Sequence, residues 1–177
     1  RFKIQHEYQG LDLWRVREYT AGTLLWQANA LDARLNITSE SLGNGLSTTR
    51  QFDAVHGLPD WIRTGPSNSV QNLNYTWDKV GNLKSRNDAI QSLTEAFYYD
   101  NLHRLDYSTL NGTTNLDLSY SPSGNITSNS DVGSYTYGTG KIHAVTAAGG
   151  NSYSYDANGN VQTKNGATIS WYASNKP

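Results

Sequence analysis

The sequence predicts an all-β protein made of tandem β-hairpins laid out as an extended single-layer sheet. Three observations carry this expectation. A short unit recurs, in which aromatic residues alternate along a strand, an Asp opens a turn, Gly follows three residues later and an aliphatic residue restarts the strand. Apolar residues make up only 36% of the chain, too little to fill a thick core. Twelve tyrosines and sixteen glycines take their place, residue types suited to wet sheet faces and tight turns. A low apolar fraction alone would equally fit disorder, but the periodic tyrosines argue against it.

Over the first stretch, Arg1 to Leu31, apolar residues fall roughly two apart (Phe2 and Ile4, Leu11 and Leu13, Leu24 and Trp26), with Gly10 and Ala21-Gly22 as turns. The run from Trp26 to Ala33 is expected as strand, with a helical turn as the alternative, and Leu35 to Thr38 returns to β-like alternation. Gly43-Asn44-Gly45 is a hairpin signal between Ile37-Thr38 and Thr48-Thr49. From there the unit repeats in frame. Its copies are Phe52-Asp53 with Leu58, Trp77-Asp78 with Gly81 and Leu83, Tyr99-Asp100 with Leu105, and Tyr120-Ser121 with Gly124 and Ile126. After a shortened copy at Tyr135 to Ile142 comes Tyr153-Ser154-Tyr155-Asp156-Ala157-Asn158-Gly159-Asn160-Val161.

The chemistry of the unit explains its spacing. Tyr153 and Tyr155 stand two apart and leave a strand on the same face, where rings pair with neighbours on adjacent strands. Asp accepts bonds from the amides that follow it, and Gly supplies the positive φ that closes a type I turn into a hairpin. His56 and His103 stand at the Gly position, and histidine is enriched at positive φ. Ser121-Pro122 replaces Asp-x with a weaker capping residue and a proline suited to the second turn position. Asp53, Asp78, Asp100, Ser121 and Asp156 lie 25, 22, 21 and 35 residues apart, the last interval holding the shortened copy. A period near 20 residues marks a repeat architecture in which each hairpin, marginal alone, is stabilised by stacking on its neighbours. Residues 1–47 read as a diverged strand and repeat region and 48–177 as the repeat region proper. The expected repeat-defining residues are Tyr75, Trp77, Asp78, Gly81, Tyr99, Asp100, Tyr120, Gly124, Tyr153, Tyr155, Asp156 and Gly159, the aspartates and glycines setting turns and the aromatics building a cross-strand ladder.

The pattern aromatic-x-aromatic-Asp-x-x-Gly-Asn/Arg-Leu at this period resembles the tyrosine–aspartate (YD) repeat of the Rhs family, shared with the C component of insecticidal Tc toxins and with teneurins. The match runs from about Thr48 onward, most clearly at Tyr75–Leu83, Phe97–Leu105 and Tyr153–Val161, and Trp26–Gly45 reads as a diverged copy. The resemblance implies a sheet that spirals into a hollow shell around a toxic or variable C-terminal domain of the same polypeptide, secreted or displayed at a cell surface, with the remaining shell repeats as further partners. Several such proteins carry a self-cleaving aspartate in an Asp-Pro signature. None of Pro59, Pro66, Pro122 and Pro177 follows an Asp here, so autoproteolysis is not carried over. A chain that starts at Arg1 and stops at Pro177 inside a new aromatic stretch is expected to be a piece of something longer.

Other functions find less support. A net charge of −1 with acids and bases interspersed leaves no footprint for nucleic acid or anionic membranes, and no apolar run approaches the roughly 20 residues of a spanning helix. The absence of cysteine removes disulfides, thiolate metal sites and cysteine nucleophiles. Asp156-x-Asn158-x-Asn160 has the opening of a calcium loop, but an EF-hand needs Gly at the sixth position and Glu at the twelfth, where Val161 and Ala167 stand. His6, His56, His103 and His143 form no ligand-spaced pair, and no Gly-x-Ser-x-Gly elbow ties Ser, His and Asp together. The reading therefore names no catalytic residue, metal ligand or cofactor. Its alternative is a β-repeat module that binds glycans or a cell-surface partner through exposed rings, and raw sheet edges would favour self-association.

Overall fold

The computed structural model describes residues 2–174 and residue 176; Arg1, Asn175 and Pro177, and with them the two ends at which the chain reads as cut, lie outside the described residues. The described residues form seventeen strands and a single 3-10 turn at Pro66–Asn68. The strands are β1 (Ile4–Gln9), β2 (Asp12–Glu18), β3 (Leu24–Leu31), β4 (Ile37–Leu42), β5 (Ser47–Phe52), β6 (Pro59–Thr64), β7 (Gln71–Trp77), β8 (Leu83–Asp88) and β9 (Leu93–Tyr99). They continue as β10 (Leu105–Leu110), β11 (Thr113–Tyr120), β12 (Ile126–Asn129), β13 (Gly133–Tyr137), β14 (Val145–Ala148), β15 (Asn151–Tyr155), β16 (Val161–Lys164) and β17 (Ala167–Thr168). The Trp26–Ala33 run is strand up to Leu31 and then a turn.

Two compact units divide the chain, one reaching Ala96 and including Leu110–Gly112, the other made of Phe97–Thr109 and the residues from Thr113 onward. In the first, β1 to β8 and the start of β9 form a meander in which each strand pairs antiparallel with the next. In the second, β11 to β17 do the same. The fold is all-β and single-layered. No large side chain among the described residues is fully buried, and the buried apolar residues are Ala28, Leu118 and Ala148. Sheets this poorly covered hold together through strand pairing and side-chain bonds within a face, such as the buried Thr48 and Thr64 hydroxyls, 2.9 Å apart across β5 and β6.

Register sorts the side chains into two faces of different chemistry. In the first unit Arg15, Gln27, Ser41 and Ser47 are successive cross-strand neighbours, as are Trp61, Asn74, Asn87 and Thr94. Bonds tie this polar face together, among them Asn29 to Ser41 at 2.8 Å and Asn87 to Thr94 at 2.9 Å. The opposite face carries Val16 beside Trp26 and Leu42, Ile62 beside Leu73, and the Tyr75–Arg86–Glu95 row. On that face Glu40, almost fully buried, accepts from Trp26 Nε1 at 2.8 Å and pairs with Arg50. In the second unit Ser119, Ser128 and Ser134 share one face, whereas Tyr120 and Ile126, and Tyr155 and Val161, share the other.

Candidate functional site: the repeated turn and the surface it builds

The turns at Asp78, Asp100 and Asp156 share one construction. At Asp78 the backbone amide donates to Asn82 O at 2.9 Å, Gly81 N closes on Asp78 O at 3.2 Å, and Gly81 sits at φ +90°. This is a type I turn followed by a left-handed residue, and it produces the register shift seen between Thr76 and Trp77. Asp78 Oδ1 accepts from Val80 N at 2.9 Å and Asn82 N at 2.8 Å, while Oδ2 accepts the Asn82 carboxamide at 2.8 Å. Asp156 repeats the set with Asn160, its Oδ1 accepting the amide at 2.9 Å and its Oδ2 the carboxamide at 3.1 Å, and with Gly159 at φ +91°. At Asp100 the guanidinium of Arg104 takes the place of the carboxamide, with Nε 2.7 Å from Oδ2, and His103 holds φ +59°. At Ser121 a hydroxyl replaces the carboxylate, accepting from Asn125 N at 3.1 Å, with Gly124 at φ +88°.

These bonds favour the ionised acid. Desolvation is the largest influence at Asp78 and Asp156 and opposes ionisation, but the amide and carboxamide donors of Asn82 and Asn160, with the intervening backbone amides, outweigh it together. The side-chain bond from Arg104 comes first at Asp100, and the backbone amide of His56 comes first at Asp53. All four carboxyls lie below their ordinary range.

The Asp53 turn departs from the sequence reading. It is one residue longer: Gly57 N donates to Asp53 O at 3.1 Å, and Gly57, not His56, holds positive φ, at +70°. His56 instead places Nδ1 3.1 Å from Asp53 Oδ2. The diverged copy at Trp26–Gly45 holds a turn at Asp32 that the sequence reading does not place. Asp32 Oδ1 accepts from the amides of Arg34 and Asn36 at 2.8 and 2.9 Å, and Oδ2 accepts the Asn36 carboxamide at 3.0 Å. Leu35 stands where Gly belongs, at φ +65°. The signal was there in Asp32, Asn36 and Ile37 at the standard offsets, 21 residues before the Asp53 copy.

At five positions an aromatic residue links its copy to the one before. Tyr120 Oη donates to Leu105 O at 2.7 Å, Tyr137 to Ile126 O at 2.8 Å and Tyr155 to Val145 O at 2.8 Å, while the indoles of Trp77 and Trp171 reach Pro59 O at 2.9 Å and Val161 O at 2.8 Å. In each case the acceptor is at or beside the residue that restarts the strand after the previous turn. Desolvation pushes the Tyr120 and Tyr137 phenols up, keeping them protonated donors. Ring stacking is seen between Tyr75 and Trp77, with centroids 6.2 Å apart on one strand, and between Tyr98 and Tyr107, 4.2 Å apart. The Arg104 guanidinium lies 4.3 Å over the Tyr120 ring. Tyr99 ends β9 ahead of the Asp100 turn, and Tyr153 lies opposite Lys164. Tyr153, Tyr155 and Tyr135, with Val145, Ala148 and Val161, line an open concavity of about 420 Å³ on the aromatic face.

Successive turns are also bridged. Arg34 donates to Ala54 O at 2.7 Å, Asn125 to Ile142 O at 2.6 Å and Lys141 to Asp156 O at 2.5 Å, each reaching from one turn to the next. Among the described residues no three His, Asp or Glu side chains gather as a metal site, and no helix is long and apolar enough to cross a membrane.

No family model and no curated protein sequence matches this chain. Solved structures do. A Tc holotoxin pore of Photorhabdus luminescens aligns with a TM-score of 0.65 at 15% identity, over 91% of this chain and 11% of that one. A crystal structure of TcdB2-TccC3-Cdc42 aligns with a TM-score of 0.68 at 14% identity, again over 91% and 11%. This chain thus spans about a tenth of the length of the solved chains it matches. Its fold is that of a stretch of the Tc toxin chains whose tyrosine–aspartate repeat its sequence resembles.

Proposed function

We propose that this chain is a segment of a structural wall that encloses and shields a C-terminal toxin or effector domain of the same polypeptide. The observation that carries the reading is the linkage between copies. Each aromatic donor bonds the copy before it and each bridged turn reaches the copy after it, so the sheet grows by adding like modules and needs no second layer. Such a construction suits a partition. The fold likeness to Tc toxin chains supports the same reading.

In this proposal the chain is not an enzyme. Tyr75, Trp77, Asp78, Gly81, Tyr99, Asp100, Tyr120, Gly124, Tyr153, Tyr155, Asp156 and Gly159 define the repeat, residues 1–47 form a diverged repeat region and 48–177 the repeat region proper. Its partners are further wall repeats and the enclosed domain, and it works outside the producing cell, secreted or at the surface. Limited proteolysis of the chain expressed with the sequence that continues it tests the idea. A C-terminal domain that resists protease inside the intact wall and becomes sensitive once separated is the expected result. Equal sensitivity in the two forms would overturn enclosure.

A further inference from the structure

We infer that Asn158-Gly159, in the turn between β15 and β16, is a site of spontaneous backbone rearrangement to isoaspartate. Four Asn-Gly pairs occur, at Asn44, Asn111, Asn158 and Asn165, each with its Gly at positive φ. Glycine leaves its nitrogen unhindered for approach to the preceding carboxamide. In the reaction the Gly159 nitrogen forms a bond to Asn158 Cγ, and the carboxamide nitrogen leaves as ammonia, carrying the proton lost from the Gly159 amide. Water then opens the cyclic imide at either carbonyl, to aspartate or to isoaspartate, in which the main chain runs through the side-chain carboxyl.

The four turns hold the reacting groups differently. Asn165 is held at both ends of its carboxamide, Oδ1 accepting from Ser152 N and Nδ2 donating to Asn151 Oδ1, both at 2.7 Å. Asn111 is held likewise by Thr94 N at 2.8 Å and Ser92 O at 3.3 Å. Asn44 accepts from Leu46 N at 3.1 Å, and the Gly45 amide is tied to Leu42 O at 2.9 Å. The Asn158 carboxamide is exposed and makes no hydrogen bond among the described residues, and the Gly159 amide makes a longer 3.2 Å bond to Asp156 O and faces the Asp156 carboxylate.

A cation adds to this freedom. Lys141 Nζ bonds Asp156 O at 2.5 Å and Ala157 O at 3.4 Å, and a Cβ built on Gly159 would lie 4.0 Å from it. The same construction on Gly45, Gly112 or Gly166 meets nothing within 4 Å. The ammonium offsets the Asp156 carboxylate that faces the Gly159 amide, so that it favours loss of the amide proton and steadies the oxyanion that forms at Cγ. The product carries an extra methylene in the backbone of a turn closed by Asp156 N on Asn160 O at 2.9 Å, so it releases the β15–β16 hairpin.

Peptide mapping with isoaspartate-specific methyl labelling, after incubation of the folded chain at mildly alkaline pH, reads all four pairs in one sample. Asn158 is expected to convert on the order of tenfold faster than Asn111 and Asn165, with the four rates converging in denaturant. Asn111 or Asn165 converting as fast as Asn158 in the folded chain, or the same rank order persisting in denaturant, would overturn the inference. Lys141→Gln is expected to slow Asn158 severalfold and leave Asn44 unchanged, with Lys141→Arg restoring the rate. No slowing in Lys141→Gln would remove the ammonium from the mechanism.

Discussion

The two ends of each meander are built by different means. At one end, turns such as those at Asp78 and Asp156 are held by a carboxylate that gathers backbone and side-chain donors. At the other, three reversals run through two residues at positive φ, Asn111-Gly112 at +49° and +82°, Gly149-Gly150 at +53° and +81°, and Asn165-Gly166 at +50° and +80°, whereas the β8–β9 reversal is capped by Asp88. Primed turns of this kind match the twist of paired strands and need no side-chain cap. The first end is specified by side-chain chemistry at fixed offsets and leaves a repeat in the sequence. The second is specified mainly by backbone conformation and leaves scattered glycines.

The largest effect expected from this contrast lies at the second end. A Cβ on Gly149 would come 2.2 Å from Val132 O, with φ already left-handed, so Gly149→Ala combines strain with a backbone clash. A loss on the order of 3 kcal/mol is expected in chemical denaturation; a change below experimental error would show that this end tolerates rebuilding. Next comes the linkage between copies. Tyr155→Phe removes the donor to Val145 O and is expected to cost about 1 kcal/mol, with faster exchange of amides in β14 and β15. A neutral result would mean that ring burial alone joins the copies.

Leu35→Gly is expected to act in the opposite direction. It relieves a left-handed leucine in an otherwise standard Asp turn, and the gain, reduced by the entropy of glycine in the unfolded chain, comes to about 0.5–1 kcal/mol. A destabilised variant would show that the exposed Leu35 side chain makes contacts worth more than its strain.

The smallest effect separates the two ends by pH. Carboxyls held below their ordinary range contribute stability that is fully present above about pH 4 and is lost as pH falls through their folded values. After correction for intrinsic exchange, amides of Val80, Leu102 and Asn160 should lose protection on acidification, whereas those of Asn111 and Asn165 should not. The Ser121 turn, capped by a hydroxyl, serves as the internal control, and equal acid sensitivity at Asn125 would break the comparison.

The legibility of the fold follows the same division. The copies at Asp78, Asp100 and Asp156 could be read because their bonds need an acid, a donor four residues later and a residue that accepts positive φ. Trp26–Gly45 is legible only as a diverged copy, its Asp32 turn unplaced, because Leu35 fills the position at which glycine is expected. His56 was misplaced because the Asp53 turn carries one extra residue, and sequence offsets cannot tell a longer turn from a histidine at positive φ. The donor role of Tyr120, Tyr137 and Tyr155 was also hidden. Alternation shows which face a ring occupies, but not that its hydroxyl reaches a carbonyl ten or more residues away.

By itself the sequence determined the all-β class, the hairpin as the unit and the turn chemistry at one end, because these depend on contacts between residues close along the chain. Only the tertiary structure decided how copies are joined, which face carries the Asn, Ser and Thr residues, and which of four identical Asn-Gly pairs is left unheld. Those outcomes depend on register between strands and on bonds from one copy to the next, and a one-residue shift at a turn moves every side chain beyond it to the opposite face.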